Sequence, residues 1–341
     1  MKAAVTYQPG RLEIRDVPEQ DPGDGEVRLA TEVVGICGSD VHLFRGDHPY
    51  SRFPGVQGHE FSARVAQLGL GDTGGLGVGD LVAVEPLLPC RQCLACRRGH
   101  PNCCRQLAVI GAHTDGALAE QIIVPAANCF PASGLSAELA ALAEPTSIGL
   151  QAVNRGGVMA GDQVVVLGAG AIGQTATLAA ADRGARVLAV DLLPNRLAIA
   201  AELGAERTVN SATTDLADAV NDWVGIDGPT VVIDATGLPA LIRLAAELVA
   251  HSGTVVIVGI TTRDVSLPVA DFTRKELNIH GSRNNAGLFG EAIDLVSRHR
   301  EQALKMISHR FGFEDVGQAM QLAADHPDEA AKVLVTVGGI Q

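Results

Sequence analysis

Aromatic residues are scarce: one Trp, two Tyr and eight Phe make up 3% of 341 residues. The interior must therefore be packed from Ala, Val and Leu. Long apolar runs are also missing. None reaches the ~18 uninterrupted residues of a bilayer-spanning helix, so no membrane partner is expected. Cations are outnumbered, with 26 Lys and Arg against 39 Asp and Glu and a formal charge of -13, which argues against nucleic acid as a partner. Met1 to Gly10 hold one Lys and no apolar stretch, so no secretory leader is expected and the thiols belong in a reducing cytoplasm. What the chain does hold is 47% apolar residues and 39 Gly, the composition of a globular protein with many tight turns. Its length is comfortable for two domains.

Sulfur is sparse but concentrated. Of seven cysteines, Cys90, Cys93, Cys96 and Cys104 form C-x2-C-x2-C-x7-C. Thiolates so close in sequence converge on one tetrahedral Zn2+, and four protein ligands leave no open position, so the site is structural. Disulfides fit poorly without a leader, and nucleic-acid zinc modules use other spacings. Cys103 adjoins Cys104, and register alone leaves both open as the fourth ligand.

Gly and Pro break the first third into short apolar runs, Val27 to Val34 and Leu81 to Val84, a texture of β structure with long loops. From Gly161 onward β-branched runs (Val164 to Leu167, Arg186 to Val190, Val231 to Ile233, Val255 to Val258) alternate with helical stretches Ala171 to Asp182, Pro194 to Leu203 and Pro239 to Ala250. That alternation predicts βαβ units and a doubly wound parallel sheet, an α/β fold. A strand at Leu277 to His280, a helix at Leu288 to His299 and a strand at Val333 to Val337 close the chain.

Gly168-Ala169-Gly170-Ala171-Ile172-Gly173 fits G-x-G-x-x-G between a predicted strand and a predicted helix. Gly168 and Gly170 permit a tight turn against a pyrophosphate, Gly173 permits close helix packing, and the helix N-terminus favours the anion. Asp191 ends the next strand where a carboxylate accepts the adenosine ribose hydroxyls. It would repel a 2'-phosphate, which favours NAD over NADP, although Arg196 nearby is able to pair with a phosphate. Val258, Gly259 and Ile260 stand where backbone lines a nicotinamide, or form an ordinary glycine turn.

Cys37-Gly38-Ser39-Asp40-Val41-His42 and Gly58-His59-Glu60 supply a thiolate, an imidazole and a carboxylate, the donor set of a second and open metal site. Taken in order, C-G-S-D-x-H, G-H-E, the four-cysteine lobe and G-x-G-x-x-G with its acidic residue resemble the zinc-dependent medium-chain alcohol dehydrogenase family over essentially the whole chain. The resemblance implies a GroES-like, β-rich catalytic domain from 1–148 and 283–341, with a Rossmann NAD-binding domain at 149–282. It implies two zinc ions and NAD, and Cys104 as the fourth lobe ligand.

By the same resemblance, Cys37 and His59 are catalytic zinc ligands. Many relatives add a second cysteine, but this chain reads Ala143-Glu144-Pro145, as in sorbitol and sugar-acid dehydrogenases, so Glu60 and Glu144 compete as third ligand. A harder, oxygen-rich site suits a polyol binding through two oxygens. Ser39 is implied to take the substrate proton, His42 to pass it outward and Asp40 to orient His59. Arg283 and Asn284, after the last Rossmann strand, are implied substrate contacts, with Asn285 beside them, and an Arg fork suits a carboxylate.

The expected activity is hydride transfer from a secondary alcohol of a polyol or an L-gulonate- or L-galactonate-like sugar acid to NAD. L-Threonine 3-dehydrogenase-like or simple alcohol oxidation is the alternative, and a non-catalytic NAD-binding sensor is the rival of another class. Homodimer or homotetramer assembly is expected, with Val255 to Ile260 as the candidate edge strand.

Overall fold

The computed structural model describes residues 1–49 and 51–338. Two compact units emerge: Met1–Glu144 with the segment from Phe289 onward, and Pro145–Leu288. The first junction falls inside a continuous helix, Ala143–Gly156.

In the unit built from both chain ends, a seven-stranded sheet runs in the order Cys129–Pro131, Leu81–Val84, Glu60–Leu68, Glu26–Ile36, Lys332–Thr336, Ile307–Gly312, and Gln121–Pro125 also pairs with Glu26–Ile36. Glu26–Ile36 is the hub. Its first residues alternate between buried and half-buried, as expected where one face meets the core, and its last four are all buried because other strands and helices cover both faces. Leu29, Phe61, Val82, Leu118, Phe313 and Met320 share one apolar cluster. Each such side chain contributes roughly 1.5–3 kcal/mol by leaving water. The cluster draws on residues from both chain ends, which welds Lys332–Thr336 into the sheet beside Glu26–Ile36.

In Pro145–Leu288 the six strands are all parallel, ordered Arg207–Asn210, Arg186–Asp191, Gln163–Leu167, Val231–Asp234, Thr254–Ile257, Asn278–Gly281. Strand order reverses beside Gln163–Leu167, creating the crevice at which doubly wound sheets bind ligands. Residues 164–167 are fully buried, as both faces carry helices. The helix over Ala171–Asp182 matches its expected limits; Pro194–Glu202 and Pro239–Leu248 begin at their prolines, the favoured first helical position, and end slightly early.

Two findings differ from the sequence reading. Arg207–Asn210 and the helix Leu216–Val224 were not anticipated: in the strand only Val209 is fully buried, so no apolar run announces it. The Val255 to Ile260 run is not an edge, because Thr254–Ile257 lies between Val231–Asp234 and Asn278–Gly281. On that side the outer strand is Asn278–Gly281, half-exposed and only weakly apolar. Among the described residues no helix is long and apolar enough to cross a membrane.

Candidate active site and metal centres

Asp40 assembles the reactive cluster. It stands in the first turn of the helix Gly38–Arg45, fully buried, and Cys37 caps that helix. Asp40 Oδ2 accepts the Cys37 backbone N–H at 3.0 Å, a capping-box contact. Its Oδ1 accepts from the Gly58 N–H at 3.3 Å and lies 3.3 Å from His59 Nδ1. One carboxylate therefore ties the Cys37 turn to the His59 turn. Burial opposes ionisation of Asp40, but His59 and the two N–H donors hold its pKa below the usual value. Burial likewise opposes protonation of His59, and Asp40 overrides it to raise the imidazole's pKa well above normal. As a ligand, His59 would keep its proton on Nδ1 toward Asp40 and offer Nε2, which lies 3.3 Å from Ser39 Oγ.

Glu60 follows on the strand Glu60–Leu68. Donor atoms of Cys37, His59 and Glu60 all lie within 4.8 Å of one another. Glu60 is 1% exposed, and its Oε1 is buried without a protein hydrogen-bond partner. A soft thiolate, a buried imidazole and an unsatisfied carboxylate oxygen fit a zinc ion, because a buried acceptor of this kind is costly unless something binds it. Glu144 is buried in the first turn of Ala143–Gly156 and lies outside this triplet. Burial and then the charge of Glu60 push its pKa up to about 7.

Sequence reasoning missed Lys332. Its Nζ donates to Glu60 Oε2 at 2.5 Å, and the residue is only 2% exposed. Burial works against its charge, yet Glu60, Cys37 and Glu144 together raise its pKa above that of ordinary lysine. A signal did exist: one cation heading the otherwise apolar run Lys332-Val333-Leu334-Val335.

The second centre is the thiol lobe. The sulfurs of Cys90, Cys93, Cys96 and Cys104 converge within 4.8 Å, while Cys103 is exposed and outside the set. Cys93 and Cys96 stand 3.5 Å apart, Cys93 and Cys104 4.0 Å apart. Those values bracket the edge of a zinc tetrahedron, about 3.8 Å for Zn–S bonds of ~2.3 Å. Backbone N–H groups of Cys90 and Gln106 point at Cys104 Sγ, at 3.2 and 3.3 Å, and lower its pKa. Such donors favour the thiolate that a metal needs.

The nucleotide turn has the expected construction. Gly168 has φ +90°, and a methyl group on Gly173 would overlap the Gly168 carbonyl oxygen, so helix and turn touch backbone to backbone. At Gly170 the space is open: an added Cβ comes no nearer than 3.9 Å to Arg196. That opening beside the N-terminus of Ala171–Asp182 fits a pyrophosphate. Asp191 accepts from Ala169 N, Leu192 N and Leu193 N at 2.7, 2.8 and 3.0 Å, which fixes its carboxylate and leaves further lone pairs for ribose hydroxyls. Arg196 Nη1 lies 3.8 Å from Asp191 Oδ2, so this guanidinium is already facing an anion.

Other expected residues scatter. Ile172 sits in the first turn of its helix, where its carbonyl accepts from Thr175 Oγ1 at 2.9 Å. Gly259 is required by its fit against the 236–237 turn, where a methyl would stand 2.6 Å from Gly237 Cα; Val258 N donates to Asp234 O, and Ile260 is exposed. Arg283 is exposed, Asn284 adopts a left-handed φ of 46°, and Asn285 is buried with its Oδ1 accepting from Leu288 N at 3.3 Å. All three belong to the Pro145–Leu288 unit. His42 is one turn beyond Ser39, its Nδ1 2.9 Å from Asp47 Oδ1.

A parallel-sheet nucleotide unit, paired in one chain with a β-rich unit holding a three-donor metal cluster, defines a metal-dependent dehydrogenase. Residues 23–134 match the alcohol dehydrogenase GroES-like domain, and residues 171–298 match the zinc-binding dehydrogenase family. The chain is 34% identical to L-galactonate-5-dehydrogenase of Escherichia coli K12, across 98% of this chain and 99% of that one. It is 33% identical to sorbitol dehydrogenase 1 of Saccharomyces cerevisiae, across 95% and 94%. A crystal structure of an Escherichia coli CFT073 alcohol dehydrogenase (rspB) complexed with NADH superposes with a TM-score of 0.91 at 34% identity, covering 99% of each chain. The chain belongs to the zinc-dependent medium-chain alcohol dehydrogenases, in their polyol and sugar-acid branch. It is an NAD-dependent oxidoreductase with a GroES-like and a Rossmann domain.

Proposed function

We propose that the enzyme oxidises a secondary alcohol of a sugar acid related to L-gulonate or L-galactonate, with NAD as acceptor. The observation that carries this reading is the donor set. Cys37 contributes the one thiolate, and the position where many alcohol dehydrogenases place a second holds buried Glu144. A site with one sulfur and two carboxylates nearby prefers hard oxygen ligands, such as the adjacent hydroxyl and carboxylate oxygens of an aldonate. The full-length similarity to L-galactonate-5-dehydrogenase supports it.

In this scheme Cys37, His59 and Glu60 hold the catalytic zinc, and Cys90, Cys93, Cys96 and Cys104 the structural one. Zinc supplies Lewis acidity toward the substrate hydroxyl, and NAD takes the hydride. Asp40 keeps the His59 proton on Nδ1. Ser39 Oγ, beside His59 Nε2, would take up the hydroxyl proton as it gives its own onward through the cofactor ribose to His42, one turn along the same helix and 58% exposed in its side chain, which would deliver it to water. Asp47 orients the His42 ring for that exchange. Gly168, Gly170 and Gly173 seat the pyrophosphate, Asp191 the ribose, and Arg283 with Asn284 reads the substrate's carboxylate. The chain assembles as a homodimer or homotetramer.

The test is NAD reduction across aldonates, polyols, L-threonine and simple alcohols. The highest kcat/KM is expected with an L-configured aldonate, and Arg283→Ala should raise KM for aldonates while leaving polyols unchanged. Turnover confined to L-threonine or to simple alcohols would sink the assignment.

A further inference from the structure

Glu60 and Lys332 lie on strands that do not pair with each other. Glu26–Ile36 runs between them, and across this row Glu60 faces Gly35, which in turn faces Leu334. Residues directly opposite in antiparallel pairs project to the same side of the sheet, and Lys332, two residues before Leu334, shares that side. The carboxylate must therefore pass over residue 35 to meet the ammonium. Gly35 makes the passage possible. A Cβ there would lie 3.3 Å from Glu60 Cβ and 3.5 Å from Cδ, and would overlap Oε2 itself. Gly35 is absent from the positive-φ glycines, so its lack of a side chain serves this close approach and not the backbone. Oε2 is thus seated in the gap above Gly35 and bonded to Lys332 at 2.5 Å, while Oε1 stays buried without a protein partner.

We infer that Gly35 and Lys332 act together as a window and a tether that restrict Glu60 to contact through Oε1 alone with a metal at Cys37 and His59. The inference rests on the reading of that cluster as the catalytic zinc site. Lys332 touches neither substrate nor cofactor and is a positioning residue. Its ammonium occupies one oxygen of the carboxylate and draws charge from it, so Glu60 cannot present both oxygens and crowd the open position that an alcohol needs. Without the tether, or with the window filled, Oε2 is released toward the metal side and the coordination number rises.

Cobalt(II) replacing zinc in the full-length protein reads this directly, since its visible bands lose intensity and shift as coordination increases beyond four. The catalytic-site bands are taken as the difference from Cys37→Ser, so that the thiol lobe cancels. Lys332→Met and Gly35→Ala are both expected to lose band intensity, and Lys332→Arg to keep the wild-type spectrum. Unchanged bands in either Lys332→Met or Gly35→Ala would overturn the inference. Should Lys332→Met fail to fold, Glu60→Gln and the Glu60→Gln/Lys332→Met pair decide: identical spectra are expected, because the tether acts only through Glu60, and different spectra refute it. Cys37→Ser separates the two levels. Retention of two metals per chain in that variant removes the site reading itself, whereas loss of one with unaltered Lys332→Met bands removes only the tether.

Discussion

Cys103 and Cys104 are neighbours with opposite surroundings: Cys104 is buried under two N–H donors, whereas Cys103 is exposed. The difference decides what each thiol is for. Cys104→Ser should reduce bound zinc from about two to about one per chain, since a three-sulfur lobe no longer closes the ion. The loop between residues 90 and 104 should then become readily cut by protease, its four cysteines being the links that hold it. Cys103→Ser should change neither zinc content nor proteolysis. Metal analysis by mass spectrometry checks both, and the reverse outcome would mean that the lobe has slipped by one residue. The same scale shows what the sequence could convey. Although Glu60 and Glu144 stood there as competing third ligands, the grouping of Cys37, His59 and Glu60 was legible because two short motifs place them 22 and 1 residues apart in the chain. Lys332 was not, because its partner lies 272 residues away and only the sheet brings them together. Removing one partner of such a buried pair costs roughly 3–5 kcal/mol, since the other charge remains stranded.

At the level of elements, the turn between Gln163–Leu167 and Ala171–Asp182 was readable from the motif, because Gly168 adopts a left-handed φ and Gly173 packs against the Gly168 carbonyl, while Gly170 leaves open space beside the helix N-terminus. Asp191 reaches into this turn from the neighbouring strand and accepts its Ala169 N–H. The carboxylate thus serves the protein's own backbone, in addition to the ribose role proposed for it. Asp191→Asn retains one acceptor oxygen and loses the charge. A hydrogen bond to a charged group contributes about 1.5–3 kcal/mol, so NADH affinity should fall about 10- to 150-fold. NADPH affinity should fall less or rise, because Arg196 is released from its anion at 3.8 Å. Titration of the two reduced cofactors by their fluorescence gives the ratio, and an equal loss for both would refute the role assigned to Arg196. Arg207–Asn210 escaped sequence reading for the opposite reason. Four residues with one fully buried side chain generate no period, and only pairing with Arg186–Asp191 makes them a strand.

On the scale of the whole molecule, the two chain ends meet in one core because Lys332–Thr336 inserts beside Glu26–Ile36, which explains why a lysine near the C-terminus serves a site built from residues 37–60. Length had implied two domains without saying that one would be discontinuous; only the resemblance carried by the motifs in order implied that. The proposed assembly would use apolar side chains that the single chain leaves uncovered. In the Pro145–Leu288 unit, Ile260 is 97% exposed and Val269 77%, with Leu238 and Phe272 also exposed. The Ile260 backbone adjoins the Gly237 turn that precedes Leu238. Water contact at such residues is unfavourable by about 25 cal/mol per Å2, which a second copy of the chain would relieve. Sedimentation velocity should therefore give a dimer or tetramer, and Ile260→Asp with Val269→Asp should shift it to a smaller species, because two carboxylates facing their symmetry mates across an isologous interface repel. Zinc content should stay at the wild-type value, as neither residue belongs to a metal site. A wild-type chain that sediments as a monomer at micromolar concentration would show that these side chains tolerate water, and that the active unit is the single chain.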